Sequence, residues 1–172
     1  MNLDRDFWEN RYAKSETGWD LGAPSTPLKE YLDQLLDKGL RILIPGGGRA
    51  YEAEHAHRIG FKNVFVIDLT DAPLRDLLER CPDFPREHFI VGDFFLHHGR
   101  YDVILEQTFF CALDPALRER YVKHMRTLLK PGGKLVGGAT RDAQLSFVAG
   151  GSSEPPGPGE NSAGLGIFRY ET

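Results

Sequence analysis

Five short apolar runs recur along this 172-residue chain: Leu40–Ile44, Val64–Asp68, His88–Asp93, Tyr101–Glu106 and Lys134–Val136. Between them lie stretches of helical periodicity, Tyr51 to Ile59 and Asp71 to Arg80, stopped or opened by Gly60 and Pro73. A third runs on from Asp114 as cap and Pro115 as first residue, with Leu117, Tyr121, Met125 and Leu128 on one face. Runs this apolar, too short for helices, read as strands buried on both faces, and strands that alternate with helices build a parallel sheet. Right-handed crossovers then place one helix layer on each side and gather the carboxyl ends of the strands along a single edge, where ligands bind. The fold expected is α/β, a Rossmann-like, doubly wound, mostly parallel sheet.

Composition narrows the partners. Lys and Arg total 21 against 25 Asp and Glu, a net charge of −4, which speaks against a phosphate-lined groove as the main purpose. No nucleic-acid partner is therefore expected. No apolar run nears the roughly 18 residues that cross a bilayer. Met1 to Tyr12 is too polar for a leader peptide. Cys81 and Cys111 share no metal-ligand spacing and make no disulfide framework. These features suit a monomeric cytoplasmic protein acting on a small molecule.

The expected binding edge carries its own pattern. Strand one ends in Pro45-Gly46-Gly47-Gly48-Arg49-Ala50, a turn that lets a ligand approach the backbone at the start of a helix. A plain strand-to-helix turn uses the same glycines. Strand two ends in Asp68, placed to accept from two ribose hydroxyls. Strand three ends in Asp93, able to accept from an adenine amino group, and strand four in Glu106, able to pair with an ammonium. Each acid taken alone also reads as a cap or a turn residue. Together, a glycine turn or an acid closes four successive strands at one edge, which points to an adenosyl ligand. The dinucleotide fingerprint asks for a third glycine where Tyr51 stands, so S-adenosylmethionine fits this turn better than a nicotinamide dinucleotide.

Four blocks carry a specific resemblance: Ile42 to Gly48, Gly92-Asp93-Phe94-Phe95, Thr108-Phe109-Phe110-Cys111-Ala112-Leu113, and Leu129 to Gly133. With the opening Phe7-Trp8-Glu9-Asn10-Arg11-Tyr12 and Thr17-Gly18-Trp19-Asp20, they resemble the thiopurine S-methyltransferase family, which includes plant thiol and halide methyltransferases. The resemblance implies methyl transfer from S-adenosylmethionine to a small soft nucleophile: a thiol, a thiopurine-like compound or a halide. It implies that residues 1–25 form a lid in which Trp8, Tyr12 and Trp19 close over the cofactor. Pro45, Gly46 and Gly48 would lie under its methionine part. Asp68 and Leu69 would take the ribose, and Asp93 and Phe94 the adenine. Glu106 and Gln107 would line the methionine end. No catalytic base and no metal ligand stand out, which suits nucleophiles that are already anionic.

The chain also departs from that family. Ile44 stands where an acid is common, Ala50 where a glycine is common, and Gln107 where plant relatives carry Tyr. Residues 1–137 read as the cofactor-binding domain, with the sheet secure through Val136, and 138–172 as an atypical tail rich in Gly, Pro and Ser. Gly150 to Glu160 has linker composition and is expected to be mobile. Leu145–Val148 and Ile167–Tyr170 could form short strands. A second reading follows from this tail: a non-catalytic binder of S-adenosylmethionine or S-adenosylhomocysteine, altered in its substrate region. The remaining candidates read as structural. His55 and His57 are expected at the surface, Cys111 as a buried thiol, and Arg75-Asp76 as a solvated helix face.

Overall fold

The structure, a computed structural model, describes residues 4–18, 20–137 and 166–169. Two helices, α1 (Arg5–Ala13) and α2 (Thr26–Gln34), precede the sheet. The alternation then runs β1 (Arg41–Pro45), α3 (Tyr51–Arg58), β2 (Asn63–Asp68), α4 (Ala72–Arg80), β3 (Phe89–Val91) and β4 (Tyr101–Glu106). It continues through α5 (Phe109–Ala112), α6 (Arg118–Leu128), β5 (Leu129–Gly137) and β6 (Gly166–Arg169).

The strand order is β3-β2-β1-β4-β5-β6. The first five strands are parallel and β6 is antiparallel to β5, so the sheet is mostly parallel, as the apolar runs require. From β1 the chain winds outward through β2 and β3, then returns to the other side of β1 as β4. That reversal leaves a crevice between the carboxyl ends of β1 and β4.

Both faces are covered. Ile42, Ile44, Val66 and Leu105 pack with Leu32, Ala53, Ala56 and Leu77 from α2, α3 and α4. Leu43, Ile67 and Ile104 turn the other way, onto Phe110 of α5 and Tyr121, Met125 and Leu128 of α6. Period-two alternation sorts each strand between the two cores.

Several boundaries differ from the sequence reading: β3 is shorter than the run His88–Asp93 and leaves Asp93 beyond its end, and three further differences have a clear physical reason. Asp114 caps only a tight turn, Pro115–Leu117, because its Oδ1 accepts from the Ala116 N–H at 2.9 Å; α6 proper begins at Arg118. Leu117 is accordingly half-buried, while Tyr121, Met125 and Leu128 are buried. Second, Lys130-Pro131-Gly132-Gly133 does not precede the fifth strand but bulges out of it, since Leu129 pairs with Tyr101 and Lys134 already pairs with Val103. Third, the sheet does not stop at Val136: Gly137 pairs with Gly166, and β6 adds a sixth strand within the run expected near Ile167. Leu145–Val148 and Gly150 to Glu160 lie outside the described residues.

The bulge depends on its second glycine. A Cβ on Gly133 would sit 2.8 Å from the Lys130 carbonyl oxygen and 3.0 Å from that of Tyr101, both backbone atoms that cannot yield. Gly133→Ala is therefore predicted to lower stability by about 1–3 kcal/mol, the usual cost of overpacking. Urea denaturation checks this, and an unchanged midpoint would show that the bulge relaxes freely.

Candidate functional site

A cavity fills the crevice between β1 and β4. Its floor is Ile44, Pro45 and the Gly46–Gly48 turn; Leu105, Gln107 and Thr108 wall it from β4, and Asp20 and Leu21 reach over it from the segment after α1. Gly46 takes φ +58°, and a Cβ there would fall 2.3 Å from the Phe109 ring. The clash bars a side chain unless Phe109 moves, and the positive φ would strain one. The Gly46 amide is held by the Ile67 carbonyl at 2.8 Å, which ties the turn to β2.

Two non-glycine residues flank the cavity in the left-handed region, Ala50 at φ +58° and Thr108 at φ +63°. Strain of this kind is held in place by surrounding structure and concentrates at functional sites.

Asp68 sits at the carboxyl end of β2. Its Oδ1 accepts from the Thr70 N–H at 3.0 Å. Burial pushes its carboxyl up to about 6, against the opposing hydrogen bonds from Thr70 and Leu69. Helix α1 docks beside it: Arg5 Nε donates to the Leu69 carbonyl at 2.9 Å, and the Tyr12 phenol is pushed up by burial and by the Asp68 carboxylate. α1 contains no fully buried residue, and Trp8 and Tyr12 are both half-buried. Trp19 lies outside the described residues.

Asp93, just past β3, caps the turn Phe94–Leu96 through the Phe95 N–H at 2.8 Å. Phe94 is 4% exposed, ringed by Phe95, Phe109, Tyr121 and His124 at 4.9–5.8 Å. Its ring belongs to the core. Glu106 is 6% exposed, and its Oε1 accepts from the Phe110 N–H at 2.8 Å. Burial raises this carboxyl, and the amides of Phe110 and Phe109 oppose the rise. Glu106 thus anchors α5 to the end of β4.

Of the residues expected from sequence, the fold brings Pro45, Gly46, Gly48 and Gln107 into the cavity wall. Asp68, Leu69 and Asp93 stand at the neighbouring strand ends, with Trp8 and Tyr12 on the helix above β2.

Sequence reading missed Arg49, which bonds Asp20 Oδ2 at 3.0 Å and pairs with Asp76 of α4. Asp76 is therefore part of this ion cluster, not a solvated face. It also missed Glu52, whose buried carboxylate accepts from the Ser25 N–H at 2.9 Å and fixes α2 to α3. Cys111 proves exposed, against the buried thiol expected, because the single turn of α5 directs Phe110 inward; Cys81 is the buried cysteine. His55 and His57 are half-buried, each bonded to an aspartate (Asp33 and Asp83) across a helix gap.

A mostly parallel sheet of this order, with its cavity at the strand-order reversal, defines the Rossmann-like α/β class. Solved structures of the same fold include the N-methyltransferase NodS from Bradyrhizobium japonicum in complex with S-adenosyl-L-homocysteine, at TM-score 0.66, 18% identity and 98% coverage of both chains. Another is the 1,6-didemethyltoxoflavin-N1-methyltransferase of Burkholderia thailandensis, at TM-score 0.64 and 20% identity, covering 77% of this chain and 59% of that one.

The model of the family Thiopurine S-methyltransferase (TPMT) matches residues 3–146, and the chain belongs to that family. It is 32% identical over 136 residues to "Probable thiol methyltransferase 2" of Arabidopsis thaliana, covering 75% of this chain and 59% of the relative. It is 30% identical over 140 residues to "Thiocyanate methyltransferase 1" of Brassica oleracea, covering 78% and 61% respectively. Against the "Thiopurine S-methyltransferase" of Marinobacter nauticus it is 23% identical, with 97% and 81% covered. The chain thus spans about 60% of the length of those plant relatives.

The raised Asp68 carboxyl has a consequence for stability. Its folded value of about 6 lies above the ordinary 3.8, so the folded state loses stability as pH rises from about 4 to 6 and the buried charge forms. Asp68→Asn keeps an acceptor for Thr70 and removes that charge. The variant is predicted to match wild type near pH 4 and to exceed it at pH 7.5 in denaturant titrations. A variant less stable at pH 7.5 would show that the charge is stabilising.

Proposed function

We propose that the chain binds S-adenosylmethionine across the carboxyl edge of β1, β2 and β3 and transfers its methyl group to a small, soft, thiol-type nucleophile. The observation that carries this reading is the cavity at the β1–β4 reversal, floored by a side-chain-free turn, with Asp68 ending β2 and Asp93 just past β3 along the same sheet edge. Family membership and the names of the relatives support it.

The residues present fit such a cofactor. Gly46 leaves the turn bare for the methionine chain, with Pro45 and Gly48 beside it. The second Asp68 oxygen and the Leu69 backbone lie at the β2 end, where a ribose would sit. Asp93 would take the adenine amino group, with Phe94 serving as wall through its backbone, since its ring is committed to the core. Gln107 lines the methionine end, and Glu106 acts there by holding α5, since its carboxylate already caps Phe110. Trp8, Tyr12 and Trp19 would cover the sulfonium; aromatic faces attract such a cation by about 0.5–2 kcal/mol each.

When bound, S-adenosylmethionine supplies a methyl carbon already activated by its positive sulfur. The protein's task is then alignment and exclusion of water. Acceptors that are anionic at neutral pH need no general base, which agrees with the absence of an obvious one among the described cavity residues. The acceptor range proposed is thiols, thiopurine-like compounds, thiocyanate and halides.

S-adenosylhomocysteine is predicted to raise the melting temperature while NADH does not. Its affinity should fall as pH drops below about 6, where Asp68 takes up its proton. Asp68→Asn should weaken it roughly tenfold or more at pH 7.5, in line with losing a charged acceptor worth about 1.5–3 kcal/mol. Calorimetric titration measures both. Stabilisation by NADH alone would overturn the cofactor assignment. Single-turnover assays with thiols, thiocyanate and iodide test the transfer itself, and tight S-adenosylhomocysteine binding with no methylated product would favour the non-catalytic reading.

A further inference from the structure

Away from the cavity, His57 of α3, Cys81 at the end of α4 and Asp83 in the following turn converge, with their ligand atoms all within 4.8 Å of one another. The Asp83 carboxylate bridges the other two: Oδ2 lies 3.0 Å from His57 Nε2, and Oδ1 accepts from the Cys81 thiol at 3.4 Å. In a tetrahedral zinc site with bonds of about 2.0–2.3 Å, adjacent ligand atoms stand roughly 3.4–3.6 Å apart. The two contacts of Asp83 already hold nearly that spacing, and the third pair lies within 4.8 Å.

We propose that His57, Cys81 and Asp83 form a three-ligand site for a divalent cation of the zinc class, with water completing the tetrahedron. Three features favour this over a chance surface cluster. The donor set is mixed imidazole, thiol and carboxylate, the chemistry of borderline-soft metals and not of calcium or magnesium. Two of the ligands are built into the packing: Cys81 is 2% exposed within the α2–α4 core, and the His57 ring stands edge-on to Phe84 at 5.4 Å. Their directions are thus set before any metal arrives. Asp83, by contrast, is 80% exposed on its side chain, which gives the cation an entrance and its water a place.

Burial and the Asp83 carboxylate push the Cys81 thiol up, so the metal-free protein carries the S–H. Binding exchanges that proton for the metal–sulfur bond and releases it to solvent. Parallel strands with crossover helices put the C-terminal ends of α3 and α4 at the amino edge of the sheet, opposite the cofactor crevice. The site therefore clamps two helices together and takes no part in methyl transfer. Both helices start at the crevice, α3 after the glycine turn and α4 after Asp68, so the clamp holds the far ends of the elements that frame it.

Cobalt(II) is the probe. Titrated into the reduced full-length chain at neutral pH, it should give a near-ultraviolet thiolate-to-cobalt charge-transfer band and the visible bands of four-coordinate cobalt, saturating at one equivalent. Zinc should abolish them one for one and raise the melting temperature. Cys111→Ser should leave the bands intact, and Cys81→Ser should remove the charge-transfer band. Because Cys81 is buried, the exposed Asp83→Asn provides the second variant: it should fold as wild type by circular dichroism and bind cobalt at least tenfold more weakly. Absence of the charge-transfer band at millimolar cobalt, its persistence in Cys81→Ser, or unchanged affinity in Asp83→Asn would overturn the proposal.

Discussion

The hydrogen-bonded ladder on both sides of β1 is the constraint from which the site follows. Arg41–Pro45 pairs with β2 along its whole length and with β4 through Ile42 and Leu43. All but its first residue are buried. A strand so enclosed cannot slip in register without turning core residues outward, so its final turn is delivered to a fixed place. Because the chain leaves β1 in one direction and comes back on the other side, the helices after β1 and β4 diverge. The space between them cannot be filled by either. The glycines keep that space open instead of creating it.

Around this opening the protein holds several features that are locally unfavourable. Ala50 and Thr108 adopt positive φ, and Asp68 and Glu106 keep carboxyl groups out of water. Glu106 offsets its burial by anchoring α5; the others have no such compensation in helix packing. Several of them gather around one cavity, as conflicts between local preference and fold do at functional sites.

How much could be read beforehand follows the range of the interactions concerned. The strands β1 to β4 were legible because apolar runs and their terminating glycines and acids are local signals, and the family blocks added the N-terminal helix. Residues whose roles depend on distant partners were not. Nothing near Arg49 in the chain announces Asp76, and nothing in the Glu106 strand announces that the carboxylate folds forward onto Phe110. Cys111 was misplaced because an apolar run does not say which of its members a single helical turn will expose. His57, Cys81 and Asp83 have no motif spacing; only the packing of α3 against α4 makes them neighbours. The fifth strand was placed correctly but begun too late, since a Pro-Gly-Gly sequence reads as a turn whether it precedes a strand or bulges from its middle.

Arg49 joins two parts of the chain that sit far apart in sequence. One guanidinium reaches Asp20, in the segment that overhangs the cavity, and Asp76, on a helix rooted in the core. Around it the backbone is anchored again, since Arg80 donates to the Arg49 carbonyl and pairs with Glu54. The overhanging segment is thus fastened to the domain by Coulomb attraction where most of the fold is fastened by apolar contact. Both Arg49 pairs are partly buried and so are shielded from dissolved ions far better than a surface pair would be. The tie between the overhang and α4 is consequently one that ordinary ionic strengths leave largely in place.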